Sequence, residues 1–183
     1  MRFRMFCIVL LLAPLCACYS SFTKGHTQFR VTSLKPGGEA RPMRQKLYVA
    51  MPHDATKEPE AVKDSIPQTR QALQAALVRV PGEKLYASQR ESLPEGLSNA
   101  KTAGCAYLLW TEILDWHDPP ASFQIASDRG EITLSVYDAL TGDLVQSDNL
   151  SCNGSATTVN LIGSYSPKDC LKPALDAWVA KNI

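Results

Sequence analysis

Cys105-Ala106-Tyr107-Leu108-Leu109-Trp110-Thr111-Glu112-Ile113-Leu114 is the most apolar stretch of the chain outside its N-terminal run. Rich in aromatic and branched residues and bounded by Gly104 before it, it reads as a buried strand. The strand continues through Asp115-Trp116-His117-Asp118 and stops at Pro119-Pro120. Upstream, Ser92-Leu93-Pro94-Glu95 has the form of a capping box, in which a serine caps the helix and a glutamate three residues on reaches back to the cap N–H. That predicts a helix to Ala103, with Gly104 supplying the left-handed residue that ends it. Downstream, Glu131-Ile132-Thr133-Leu134-Ser135-Val136-Tyr137 alternates apolar and polar side chains, the period of a half-covered strand. Asp138 to Asp143 is a hairpin turn with Gly142 available for positive φ, and Leu144-Val145 opens a return strand that reaches Cys152.

Working outward, Lys46-Leu47-Tyr48-Val49-Ala50-Met51 is a compact strand ended by Pro52, followed by a charged loop from His53 to Lys63. Ser65 is suited to cap a helix with Pro67 in its first turn. Leu73, Ala76, Leu77 and Val80 then fall on one helical face, and Pro81-Gly82 stops the helix. Lys84 to Ala87 reads as a short strand. Beyond Cys152 comes a Gly/Ser/Thr loop from Asn153 to Ser164. Ser166-Pro167-Lys168-Asp169 then starts a last helix with Leu171, Leu175, Trp178 and Val179 on its apolar side. Pro173 lacks the N–H that a helix interior uses, so the helix either begins there or kinks there. The fold class expected is α/β (α+β): a mixed β-sheet of about five strands with helices packed mainly on one side, in a single domain over residues 46–183.

The chain opens Met1-Arg2-Phe3-Arg4 and runs apolar to Leu15, the form of a secretory signal and too short to span a bilayer, which takes roughly 20 apolar residues. Leu15-Cys16-Ala17-Cys18 resembles the bacterial lipobox, with cleavage after Ala17 and lipid on Cys18; the alternative is an ordinary signal peptide that leaves Cys18 a thiol. Tyr19, not Asp, follows the cysteine, which favours the outer membrane, facing the periplasm. Residues 18–45 are polar and without sustained periodicity, and read as the lipidated cysteine and a tether. Phe29-Arg30-Val31 is the one candidate for an edge strand within it.

Removal of Arg2 and Arg4 with the signal brings the 19 basic residues just below the 18 acidic ones. A near-neutral chain offers no basic surface for nucleic acid. The same cleavage removes Cys7 and Cys16. With Cys18 taken by lipid, Cys105, Cys152 and Cys170 remain in an oxidising compartment. Cys152 and Cys170 flank the Gly/Ser loop and are the preferred pair, leaving Cys105 as a buried thiol. No Cys-x-x-Cys or His-x-x-x-His spacing suggests zinc, and no metal or cofactor is expected.

Two readings of function follow. In one, a lipid-anchored module binds another envelope protein or further copies of itself through the sheet edge or a strip around Trp110, Trp116 and Tyr137. In the other, Asp115, His117, Asp118 and His53 hold a small ligand or metal, or act as acid and base. Alternation places Asp115 and His117 on one face and Trp116 and Asp118 on the other. No Gly-x-Ser-x-Gly, P-loop or dinucleotide motif is present. The candidate binding surface is therefore Trp110, Asp115, Trp116, His117, Asp118 and Tyr137, with no catalytic residue assigned.

The order of Leu47-Tyr48-Val49 with Pro52, Thr69 to Leu77, Ala103 to Leu108, Ile113 to Asp118, Val136-Tyr137-Asp138, Thr141-Gly142-Asp143 and Pro167 to Leu171 with Pro173 resembles the DUF4823 lipoproteins of proteobacteria over about residues 46 to 183. That family has no assigned activity, so the resemblance implies no catalytic residues. The element order is also similar to the periplasmic domains of outer-membrane assembly lipoproteins such as the curli secretion factor, a likeness of fold that does not fix function.

Overall fold

The computed structural model describes residues 20–24, 27–35, 44–55, 64–118, 128–154 and 166–183. The signal segment and Cys18, the loop at 56–63 and the Gly/Ser loop at 155–165 lie outside the described residues. In chain order the strands are β1 (Ser20–Lys24), β2 (Thr27–Lys35), β3 (Leu47–Val49), β4 (His53–Asp54), β5 (Lys84–Tyr86), β6 (Tyr107–His117), β7 (Arg129–Asp138) and β8 (Leu144–Asn153). The helices are α1 (Ser65–Leu77), α2 (Leu93–Thr102) and α3 (Pro167–Lys181).

All the strands join one mixed sheet in the order β1-β2-β8-β7-β6-β3-β5, with β4 extending the β3 side of β6. β6 is antiparallel to β7 and parallel to β3, and β3 is parallel to β5. Parallel neighbours require a crossover, which α1 provides between β3 and β5. Among the described residues the expected mixed sheet with three helices is present, but it has eight strands rather than about five. The additional ones come largely from the stretch expected to be a tether. β2 pairs with β8 from Gln28 to Lys35, and β1 pairs back on β2. Phe29-Arg30-Val31 is the part of β2 that the sequence marks as a strand, and the Thr, Gln, Ser and Lys around it give no hydrophobic period to read. Phe29 and Val31 turn into the core, against Cys152 and Leu150.

Two apolar clusters lie on opposite faces of the sheet. On one face, Leu109, Ile113, Ile132, Leu134, Val136 and Leu150 meet Leu73 and Leu77 of α1 and Leu171, Leu175 and Trp178 of α3. On the other, Leu108, Trp110 and Tyr137 meet Leu93, Leu97 and Ala100 of α2. Among the described residues α2 is therefore the one helix on its face. Its start is fixed by the capping box: the Ser92 N–H donates to Glu95 at 2.7 Å, and Gly104 takes φ +66° at its other end. Asp64, not Ser65, occupies the cap position of α1. Ser65 is one residue inside, fully buried, and its hydroxyl donates to Asp54. α3 runs unbroken from Pro167 through Pro173 to Lys181, so the proline forfeits one backbone bond without ending the helix. The disulfide Cys152–Cys170 ties the start of α3 to the end of β8, and Cys105 is a buried free thiol.

Candidate functional site

The ladder between β6 and β7 decides where each candidate residue points. Leu108 faces Tyr137 and Trp110 faces Ser135, all on the α2 side. The register then shifts between Ile113 and Asp115, so that Leu114 is a bulge residue. A single extra residue moves the next side chains to the other face. Trp116 consequently leaves the face of Trp110 and enters the core beside Ile113, where it is 3% exposed. Its ladder partner is Gly130. A Cβ on Gly130 would stand 2.9 Å from Leu171 Cδ1 of α3, so glycine lets that helix pack here without displacing Leu171.

The strip of Trp110, Trp116 and Tyr137 set out from the sequence is therefore not one surface. Trp116 belongs to the α1/α3 core, while Trp110 and Tyr137 belong to the α2 side. Trp110 is itself almost covered, its ring stacked against His53 with centroids 6.1 Å apart. The Tyr137 phenol is shifted upward by burial first and by the Glu112 carboxylate second.

Asp115 and His117 share the face of Glu131 and Arg129, their ladder partners. Asp115 Oδ2 lies 3.8 Å from Arg129 Nε, both half in solvent. Asp118 is exposed at the strand end. Asp128, at the mouth of β7, has its carboxyl raised by burial and then by the negative charge of Asp118, with His117 acting in the opposite sense. His53 stands on β4 opposite Glu112, away from His117. The sequence candidates thus divide between two places, and no nucleophile and base are brought into contact among the described residues. No three His, Cys, Asp or Glu side chains converge as a metal site there either.

The most organised polar cluster escaped the sequence reading. Asp148 on β8 is wholly buried on the α3 side. Its Oδ1 accepts from Ser33 Oγ at 2.6 Å and Lys181 Nζ at 3.3 Å. Its Oδ2 accepts from Trp178 Nε1 at 2.8 Å and from the Gln146 amide. One carboxylate thereby joins β2, β8 and α3. The signal was available: Leu150 and Cys152 point inward, so period two places Asp148 inward as well. A charge at an inward position calls for a full set of donors.

The chain belongs to the family described as Domain of unknown function (DUF4823), which matches residues 42–181. No functionally curated protein matches it. Among solved structures it is similar to the PelC dodecamer from Paraburkholderia phytofirmans, with TM-score 0.51 and 17% identity over 84% of this chain and 94% of that one. It is also similar to lipoprotein GNA1162 from Neisseria meningitidis, with TM-score 0.45 and 11% identity over 74% of this chain and 94% of that one. The likeness to PelC is one of fold.

Proposed function

We propose that this member of the DUF4823 family is a non-enzymatic module of the bacterial cell envelope. It is anchored to the outer membrane through acylated Cys18 and presents its sheet to another envelope protein or to further copies of itself. The observation that carries the reading is the unequal cover of the sheet. Among the described residues, α1 and α3 close one face, whereas α2 closes the β6 end of the other. Across β2, β8 and β7 that second face displays exposed Arg30 and Thr32 and half-exposed Asn149, Ser151 and Glu131. Asn149 Nδ2 already donates to Glu131 at 2.8 Å, which fixes a row of polar groups in place. Ordered polar side chains on a flat face suit a wet, specific protein contact. The fold is shared with a protein that forms a dodecamer, which makes a dodecamer of copies the first kind of self-association to look for.

Photocrosslinkers in living cells at Thr32 and at Asn149 test this. A discrete partner band or a ladder of self-crosslinks is expected at both. Absence of any product at both positions, in protein that is folded and membrane-bound, removes the reading. Loss of fatty-acid labelling on Cys18→Ser tests the anchor separately.

A further inference from the structure

The two ends of the sheet differ in charge. One end carries the β7–β8 hairpin, the starts of β3, β5 and β6, the close of β2 and the C-terminal turns of the helices. Exposed Lys35, Arg44, Arg79 and Lys101 gather there. Lys35 Nζ donates to the Leu144 carbonyl at the hairpin, and the Arg44 carbonyl lies against Gly82 in the turn after α1. The acids at this end are engaged or few. Glu83 pairs with Lys46 at 3.4 Å, Asp138 is held by the N–H groups of Leu140 and Thr141, and Asp143 is exposed. At the opposite end acids outnumber bases, with Asp54, Asp64, Asp115, Asp118, Asp128 and Asp169 against Arg129, which pairs with Asp115, and Lys168.

Large apolar side chains stand in solvent at the basic end: Leu34 is 61% exposed, Val78 77% and Leu140 70%. Each occupies a turn, cap or bulge position, at the close of β2, after α1 and in the hairpin. Cations interspersed with protruding apolar side chains match the surface of an anionic bilayer, whose headgroups attract the first and whose acyl boundary takes the second.

The direction of the chain agrees. β1 runs antiparallel to β2 towards the acidic end, so its first residue, Ser20, is the one nearer the basic end. Only Tyr19 separates Ser20 from Cys18. Two residues reach about 7 Å at full extension, and β2 from Val31, opposite Ser20, to Lys35 covers about 13 Å. A lipid on Cys18 therefore holds this domain against the bilayer with no spacer between them. We propose that the basic end, with Lys35, Arg44, Arg79, Lys101, Leu34 and Leu140, is a second contact with an anionic lipid surface. It sets the orientation of the domain and turns the acidic end towards the partner space. The inference rests on the anchored reading only for the position of Cys18.

The test uses the full chain, produced in a host that lipidates it. A polarity-sensitive fluorophore is placed at Leu140→Cys or at Asp118→Cys. The protein is floated with phosphatidylglycerol-containing vesicles and with neutral phosphatidylcholine vesicles. Flotation with both, and a blue shift at position 140 but not 118 on anionic vesicles alone, is expected. Changing Lys35, Arg79 and Lys101 to Gln should remove the shift, since each cation is worth roughly fivefold in partition, or about a hundredfold together. Flotation with equal solvent exposure at both labels overturns the basic-end contact and leaves the anchor standing. Flotation on anionic vesicles only, lost in the triple variant, supports the contact and overturns the anchor. No flotation overturns both.

Discussion

Replacing Asp148 with Ala should be the most damaging single change to this fold. The substitution takes an acceptor from four donors on three elements: Ser33, Gln146, Trp178 and Lys181. Ser33 is half-buried and Lys181 half-exposed, so both recover water at little cost. Trp178 and Gln146 are buried and cannot. Each orphaned donor costs about 1–3 kcal/mol, giving roughly 4 kcal/mol for the two. For a chain of this size each kcal/mol moves Tm by about 2–4 °C, so a fall of about 10 °C is expected by circular dichroism. Trp178→Phe, which removes only the indole N–H and trims the ring, should cost less on the Asp148→Ala background than alone, because its partner is already gone. A Tm within about 2 °C of the parent, or strict additivity of the two changes, would refute the view that the carboxylate pins α3 to β2 and β8.

The remaining expectations concern the other supports of the same packing. Replacing Cys152 and Cys170 together by Ser opens a closed loop spanning 18 positions, and should lower stability by about 3 kcal/mol in urea unfolding; an unchanged midpoint would mean that packing alone fixes the start of α3. Gly130→Ala forces a methyl into Leu171, an overpacking cost of about 1–3 kcal/mol, relieved by Leu171→Val in the same chain if the contact is the cause. Asp128 has its carboxyl raised in the fold, so the folded protein holds that proton above the unfolded value, and stability is lost as pH rises through the folded pKa. Asp128→Asn should therefore raise Tm at pH 7, and the gain should fade as pH falls to about 4. A gain that does not vary with pH would point away from charge.

The sheet and helices were most legible where local chemistry and burial agree. The run from Leu108 to Ile113, the alternation from Glu131 to Tyr137, the Ser92–Glu95 box and Gly142 in the hairpin each carry their structure in a few neighbouring residues. β1 and β2 do so only at Phe29-Arg30-Val31, which lies in β2 as its alternation suggests. The rest is held by backbone bonds, β2 to β8 and β1 to β2, and a ladder of that kind leaves no mark on side-chain chemistry. Ser65 looked like a cap because serine is a good one, but burial drew it inside the helix and left Asp64 at the end. The candidate site was legible only in part. Asp115 and His117 do share a face, as alternation requires. What alternation could not supply was the bulge at Leu114, which parts Trp116 from Trp110 and removes it from any surface.

That bulge makes the length of β6 asymmetric in what it tolerates. Leu114 has no partner across the β6–β7 ladder, so loss of its codon would set Asp115 directly after Ile113. Plain alternation would then keep Asp115 opposite Glu131, Trp116 opposite Gly130 and His117 opposite Arg129. A residue added beside it would instead exchange the two sides of the strand beyond: Asp115 and His117 would be carried towards Leu171, and Trp116 would be cast outward. Descendants of this sequence are therefore freer to lose residue 114 than to gain a neighbour for it.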